Sequence, residues 1–521
     1  MQGKKQYAEK LFTTFQLSAH IPQDNFYRRL KDLLDLQWLY KGTKEYYGSE
    51  GQKSIDPVVF LKLMLIGYLE NLGSDRRIIT TVSMRLDMLY FIGYDIDEEL
   101  PWHSTLSRTR QLYGEELFKQ LFKEVLRQCI DKGMVAGKRQ VMDSAPVKAN
   151  ASMDSLKQKE ILDDVSAYLG ELKSQEQEEQ TNDSDDNTDD TKRVSVARSK
   201  AVQLHHKWKE KAYKGMPGAA SKGRAKFVSN HTHYSTTDPD ARVSVKPGKP
   251  RQLNYLSQVS VDTAHHVITQ IQTDHADKKD SQCLPSLLKN TIENLKQYGV
   301  EVEQVYADAA YSSGEALKAM EENNITGFIP NFGQYKPSRE GFTYDKENDR
   351  YTCSRGVHLP FKKLTTTSLG YKMKVYRSSS KDCGPCPLRS VCIGKSDFKK
   401  IDDSIDKPYY DRMHARLESV NREKIRKLRS STVEPVLGTL VTYLAMRRVN
   451  TRGIRQANKC MLMAAVAYNL KKLMKWQEQK TKTAVIALKR AEKSLCSFVF
   501  NLWHCAQGYK LLQVNVALNK C

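Results

Sequence analysis

One stretch of the sequence limits every fold this chain can adopt. From Glu160 to Asp190 there are 12 acidic side chains and a single base, Lys173, for a net charge of −11. Its densest part, EQEEQTNDSDDNTDD, has no apolar periodicity. Like charges at that density repel one another and leave no face to bury, so the stretch reads as a solvated, disordered linker. A packed core must be built from the segments on either side of it. The whole chain of 521 residues carries +22, so the remainder carries +33. An excess of that size points to a polyanionic partner, which in a cytosolic protein is usually nucleic acid. Apolar residues make up 40%, enough for packed cores, and at roughly 150 residues per domain the length suggests two to four domains. No apolar run reaches the ~18 residues of a membrane span. The nearest, Val58–Leu69, carries Lys62. The opening MQGKKQYAEK lacks the apolar centre of a signal peptide, so a soluble cytoplasmic protein is expected, without a membrane partner. Ten cysteines are too sparse for a disulfide scaffold.

Before the acidic run the pattern is helical. Asp56-Pro57 predicts a helix start, then VVFLKLMLIGYLENLG with a stop at Gly73. Ser74 and Asp75 can cap a helix over RRIITTVSMRLDMLYFIG. Ser104 can cap a short one that projects Arg108 and Arg110, and EELFKQLFKEVLRQCIDKG closes the region. Short helices, the later one basic, suit a helix-turn-helix DNA reader or an ordinary bundle with surface arginines. From about Gly137 the period changes. KRQVMDSAPVKA reads as a strand ending in an aspartate, and LNYLSQVSVDTAHHVITQIQT as a β-hairpin broken at Thr263–His265. Next come a helix closed by Gly299, a strand in VEQVYADAAYSS, a helix in SGEALKAMEENN and a short strand in TGFIPN. The order describes a mixed sheet with helices against it.

Three carboxylates stand out within this order. Asp143 and Asp308 come after β-like runs, and Glu434, in RSSTVEPVLG, sits at the expected start of a long helix. Phosphodiester chemistry with two metal ions needs hard oxygen ligands converging on cations about 3.5–4 Å apart, and strand-end carboxylates supply them. Each residue alone reads equally well as a turn, cap or helix-dipole residue. Asp262 reads as a hairpin-turn residue. His231 and His233 have strand-face spacing, and Asp238 and Asp240 flank a turn at Pro239.

The strings SIDPVVFLKLMLIGYLENLGSDRRI, LPWHSTLSRTRQLYG, VMDSAPVKANASMDSL, VSNHTHYSTTDPDAR, VYADAAYSSGE, STVEPVLGTL and VNTRGIRQANKCMLMAAVAYNLKKL resemble signatures of the bacterial insertion-sequence DDE transposases, over roughly residues 5 to 475. The resemblance implies an α/β fold of mixed α+β type. Its centre would be an RNase H-like five-stranded mixed sheet flanked by helices, with an N-terminal all-helical domain and a cysteine-containing insertion. The implied division is a helical DNA-binding domain over 1–135, the first core strand over 136–155, and the acidic linker with a basic helix over 156–225. The RNase H-like core would span 226–331, the insertion 332–408, the core helices with the catalytic glutamate 409–475, and a basic then apolar tail 476–521. The family's catalytic triad falls on Asp143, Asp308 and Glu434. Those residues would hold Mg²⁺ (or Mn²⁺), cut the element's ends and join them to target DNA. The implied partners are double-stranded DNA, as terminal inverted repeats and target, and a second copy in a homodimer. The implied location is the bacterial cytoplasm, on the nucleoid when DNA-bound. The family often has a basic residue seven positions past the glutamate, but here that position is Val441. Arg447, Arg448, Arg452 and Arg455 lie just beyond and join Arg108 and Arg110 as expected DNA contacts.

Two further readings complete the sequence. Cys383 and Cys386 form C-x2-C, Cys392 lies shortly after them, and Cys353 lies upstream, an arrangement expected to hold structural Zn²⁺. Basic runs with Trp208, Tyr213 and Tyr234 nearby supply phosphate and stacking contacts. An RNase H-like nuclease that cuts without joining, and an inactive DNA-binding regulator of transposition, are the alternatives.

Overall fold

The computed structural model of the chain describes residues 15–48, 54–158, 230, 233–244, 251–331, 335–367, 371–480 and 483. The acidic run, the basic segment around Trp208 and Tyr213, His231 and the apolar part of the tail lie outside the described residues.

The N-terminal region is helical. Its main helices are α1 (Phe26–Leu33), α2 (Pro57–Leu69), α3 (Asp75–Ser83), α4 (Leu86–Ile92), α5 (His103–Leu112) and α6 (Glu115–Asp131). Helix α2 starts where Asp56 accepts hydrogen bonds from the Val58 and Val59 amides, with Pro57 at its first position. It is apolar on every side, and α3, α4 and α5 pack around it. The run expected as one helix from Arg76 to Gly93 is broken between Ser83 and Leu86. Arg85 is extended there, and its guanidinium makes a fork-like pair with Asp87 at 2.8 and 2.7 Å, which holds the break. Helix α5 begins after Trp102, earlier than a Ser104 cap would place it.

The central sheet has the RNase H-like order. Strands β1 (Arg139–Lys148), β2 (Gln252–Asp262) and β3 (Ile268–His275) run antiparallel in sequence. Strands β4 (Gln304–Tyr306) and β5 (Thr326–Phe328) add parallel to the other edge of β1. The spatial order is β3-β2-β1-β4-β5. A short strand at Arg242–Ser244 pairs with the start of β2, so the sheet has six strands rather than the five expected. Helix α7 (Asp280–Lys296) joins β3 to β4, and α8 (Gly314–Glu322) joins β4 to β5.

The insertion is a second antiparallel sheet of β6 (Phe342–Asp345), β7 (Arg350–Cys353), β8 (His358–Thr366), β9 (Lys372–Arg377) and β10 (Lys400–Ser404). Tyr351, Leu359, Tyr376 and Ile401 form its own small core. Helices α9 (Lys407–Glu418), α10 (Arg422–Tyr443) and α11 (residues 454–480) complete the chain. One apolar cluster runs from Tyr27 to Met474, so the N-terminal helices share a core with the sheet. Lys459 of α11 makes part of that joint. Its buried amine donates to the carbonyls of Arg110 and Tyr113 at 3.0 and 2.6 Å, at the C-terminal end of α5. Burial pulls that amine down to about 8.

The loop acids act as braces. Asp240 accepts from the Ile454 amide at 2.9 Å, and Asp238 from Gly453 at 3.1 Å and from the Tyr255 hydroxyl at 2.7 Å. Both therefore hold the start of α11, beyond the local turn expected of them. Asp262 is wholly buried and accepts from the Gly137 amide at 2.7 Å and the Ala264 amide at 2.8 Å. It sits opposite Gln140, away from Asp143, as the turn residue it was read to be. Gly137 has φ +78°, and a Cβ there would lie 2.0 Å from Val300 Cγ1. Gly137→Ala is expected to cost about 2–4 kcal/mol, the sum of left-handed strain and overpacking, measured as a lower urea midpoint.

Candidate active site

The site is set by unequal strand lengths. β4 pairs with β1 only at Arg139, Gln140 and Val141, and β1 then runs seven residues further. Asp143 therefore lies within the strand, not at its end as the sequence suggested, and among the described residues no strand pairs beside it on the β4 side. That edge also accommodates Pro146, whose missing N–H costs nothing where no strand pairs. Val141 stands opposite Tyr306 in parallel register. Two residues beyond that last pair come Asp143, still within β1, and Asp308, past the end of β4, and the charge of Asp308 reaches Asp143.

Asp308 leaves the strand and caps the short turn Ala309–Tyr311, accepting from the Ala310 amide at 2.9 Å. Asp143 accepts from the Ser144 amide at 2.8 Å. Burial pushes the Asp143 carboxyl up to about 6. The Ser144 amide and the Arg429 guanidinium pull it down, while the charges of Asp308 and Asp280 push it up. Arg429, on α10, lies 3.8 Å from Asp143. Its Nε is buried without a hydrogen-bond partner.

Asp280, Gln258 and Tyr311 were not foreseen. Asp280 opens α7 and accepts from Gln258 Nε2 at 3.0 Å. Gln258 stands opposite Ser144 in the β1–β2 ladder, and its Oε1 accepts from the buried Tyr311 hydroxyl at 2.5 Å. This relay ties the turn after Asp308 to the helix that carries Asp280. The only sequence signal for it was an aspartate at a helix start, which reads as a dipole residue.

Glu434 is placed differently from expectation. Helix α10 starts at Arg422, capped by Asn421, so Glu434 lies midway along it and is exposed. Val433 and Val436 on either side are buried. The residue of α10 that reaches Asp143 is Arg429. Among the described residues, no three His, Cys, Asp or Glu side chains gather closely enough to hold a metal ion. Asp308 is near enough for its charge to raise Asp143, whereas the residue of α10 that lies against Asp143 is Arg429 rather than Glu434.

Two segments of the chain match transposase family models. Residues 15–112 match a transposase domain of the DUF772 type, and residues 352–474 match a transposase DDE domain. Both matched segments are thus similar to transposase domains, the second to a DDE domain. No curated protein matches this chain in sequence. Among solved structures it is similar to the Mos1 transposase paired-end complex with left transposon end, at 9% identity and a TM-score of 0.16, over 60% of this chain and 73% of that one. A likeness that weak bears on neither fold nor function.

The chain does not present all its expected arginines. Arg108 is exposed on α5. Arg110 is not: it is 2% exposed and ion-paired to Asp75 at 2.5 Å. A residue so placed cannot grip a phosphate, because α5 turns it into the core while Arg108 faces out. Arg447, Arg448, Arg452 and Arg455 are all exposed. Lys148, at the end of β1, bridges to Arg448, and the Val449 amide donates to the Lys148 carbonyl at 3.0 Å. These arginines therefore begin at the end of the strand that carries Asp143, five residues or about 16 Å along it. Cys353, Cys383, Cys386 and Cys392 are half-buried free thiols and are not gathered into a ligand set. Cys383 instead lies 3.0 Å from the Ser378 hydroxyl. No helix among the described residues is long and apolar enough to cross a membrane.

Proposed function

We propose that this chain is an insertion-sequence DDE transposase that cuts DNA at the terminal inverted repeats of its element and joins the freed 3′ ends to target DNA. The observation that supports this most is the nearness of Asp308, just past the end of β4, to Asp143 within the neighbouring parallel strand, close enough for its charge to raise the Asp143 carboxyl. Two crowded carboxylates, one of them held up to about 6, are a donor set that a hard divalent cation would fit, because the cation relieves both burial and repulsion. Asp143 and Asp308 would hold Mg²⁺ or Mn²⁺, and the family resemblance adds Glu434 as the third carboxylate. Bound there, divalent ions would activate a water or 3′-OH nucleophile and stabilise the leaving 3′ oxygen. The Gln258–Tyr311 relay keeps the turn after Asp308 in place. Exposed Arg422, Lys424 and Arg426 on α10, with Arg447, Arg448, Arg452 and Arg455, would draw in the phosphates that the carboxylates alone would repel. The cysteine cluster would take up Zn²⁺ only after the insertion's loops draw together, and the working form would be a homodimer on paired ends.

Glu434→Gln is expected to lower cleavage by about 10²–10³ with little change in DNA affinity, as for loss of one stabilising group at a charged transition state. The joining assay decides between the readings. Purified protein with Mg²⁺ and a pre-cleaved end is expected to join the 3′-OH to target DNA. Nicking without joining would leave a nuclease, and binding without either would leave a regulator.

A further inference from the structure

We infer that strands β8 and β9 of the insertion form a DNA-gripping finger beside the active site, a surface that holds double-stranded DNA by its phosphates. Among the described residues, β8 beyond Phe361 pairs with β9 alone, leaving its outer edge without a ladder partner. Phe361, Lys362, Lys363 and Leu364 are exposed in succession, which no strand packed on a core could be. The apolar members are exposed by 40% at Phe361 and 60% at Leu364, and Tyr371, just before β9, by 52%. Lys362, Lys363 and Lys372 are exposed and make no ion pair among the described residues. Lys374, between them on β9, is paired to Asp349 and so is not counted.

The finger is placed by a contact at its far end. The Lys279 ammonium donates to the Tyr371 hydroxyl at 3.1 Å and lies 5.7 Å from the ring centre. Lys279 immediately precedes Asp280, one of the charges felt by Asp143. The unpaired lysines therefore line a ribbon whose end touches the rim of the catalytic site. A two-stranded ribbon fits the major groove, about 12 Å wide, and three lysines on it complement the phosphate backbone. This inference rests on the DNA-processing reading above. The bland alternative is that the lysines only keep an open sheet edge from pairing with another chain.

Salt dependence separates the two. The full-length protein, its Lys362→Ala/Lys363→Ala/Lys372→Ala variant, the corresponding triple arginine variant, and a control with Lys336, Lys346 and Lys395 changed to alanine would be titrated against a duplex by fluorescence anisotropy. The control removes the same charge from other exposed positions of the insertion region. The finger predicts that the slope of log K against log salt becomes shallower by about 0.9 per lysine lost in the first variant. It predicts an unchanged slope for the arginine variant and for the control, and unchanged unfolding midpoints throughout. An unchanged slope in the first variant, with or without new aggregation, overturns the finger. So does an equal loss in the control. Absence of duplex binding by the unmodified protein overturns the DNA-processing reading as well.

Discussion

Asp143→Asn is expected to make the metal-free protein more stable at neutral pH while abolishing DNA cleavage. The usual loss of stability in a catalytic-residue variant should run in reverse because Asp143 is charged where the fold favours the neutral form. Burial and the charges of Asp308 and Asp280 raise its carboxyl from 3.8 to about 6, against the pull of Ser144 and Arg429. Between those two values the folded chain binds more protons than the unfolded one, so stability falls as pH rises from about 4 to about 6 and is flat above. At pH 7.5 asparagine removes most of that penalty and loses only the loose Arg429 contact. A gain of about 1–3 kcal/mol is expected, with the pH 4–6 slope reduced. Urea unfolding of both proteins at pH 4, 6 and 7.5 measures it. A variant no more stable than the parent at pH 7.5 would contradict the electrostatic account of the site.

Asp75→Ala is expected to be among the most destabilising single changes in the N-terminal region, costing about 3–5 kcal/mol. Arg110 lies in the core between α2 and α3, its guanidinium 3.1 and 2.5 Å from the Asp75 carboxylate, with Met64 Sδ against it. Its Nε already lacks a partner. Removing Asp75 would strand a full charge among apolar side chains. Arg110→Met, similar in length but uncharged, leaves only the more exposed Asp75 unpaired and should cost much less. Thermal unfolding of the two variants orders them. Equal, small losses in both, with a steep fall in DNA affinity for Arg110→Met while folded, would return Arg110 to the DNA surface.

The contrast between Arg108 and Arg110 shows what the sequence could carry. Spacing told that α5 exists and is basic, but two arginines two apart on a helix point about 200° apart, so one was bound to face inward. Which one depends on α2 and α3, and Asp75 is 35 residues away. The strand order was legible because β1 to β3 alternate and the helices between the later strands have clear ends at Gly299 and Asn323. The strand limits were not. Asp143 read as a strand end, yet the strand continues by pairing with β2 along one edge. Helix α10 read as starting near Glu434, with the glutamate in its first turn. Asn421 caps it thirteen residues earlier, which moves Glu434 to mid-helix and brings Arg429 to Asp143. Asp280 and Gln258 were invisible because their role depends on register across three strands, not on local pattern.

Joint binding of a divalent cation by Asp143 and Asp308 is the claim on which the proposed chemistry rests. Titration of the full-length protein with Mn²⁺, with electron paramagnetic resonance of the free ion as the readout, tests it without requiring any DNA reaction. The parent is expected to remove Mn²⁺ from solution saturably, and Asp143→Asn and Asp308→Asn each to lose that binding while remaining folded. Mn²⁺ binding by both variants with the affinity of the parent would contradict it.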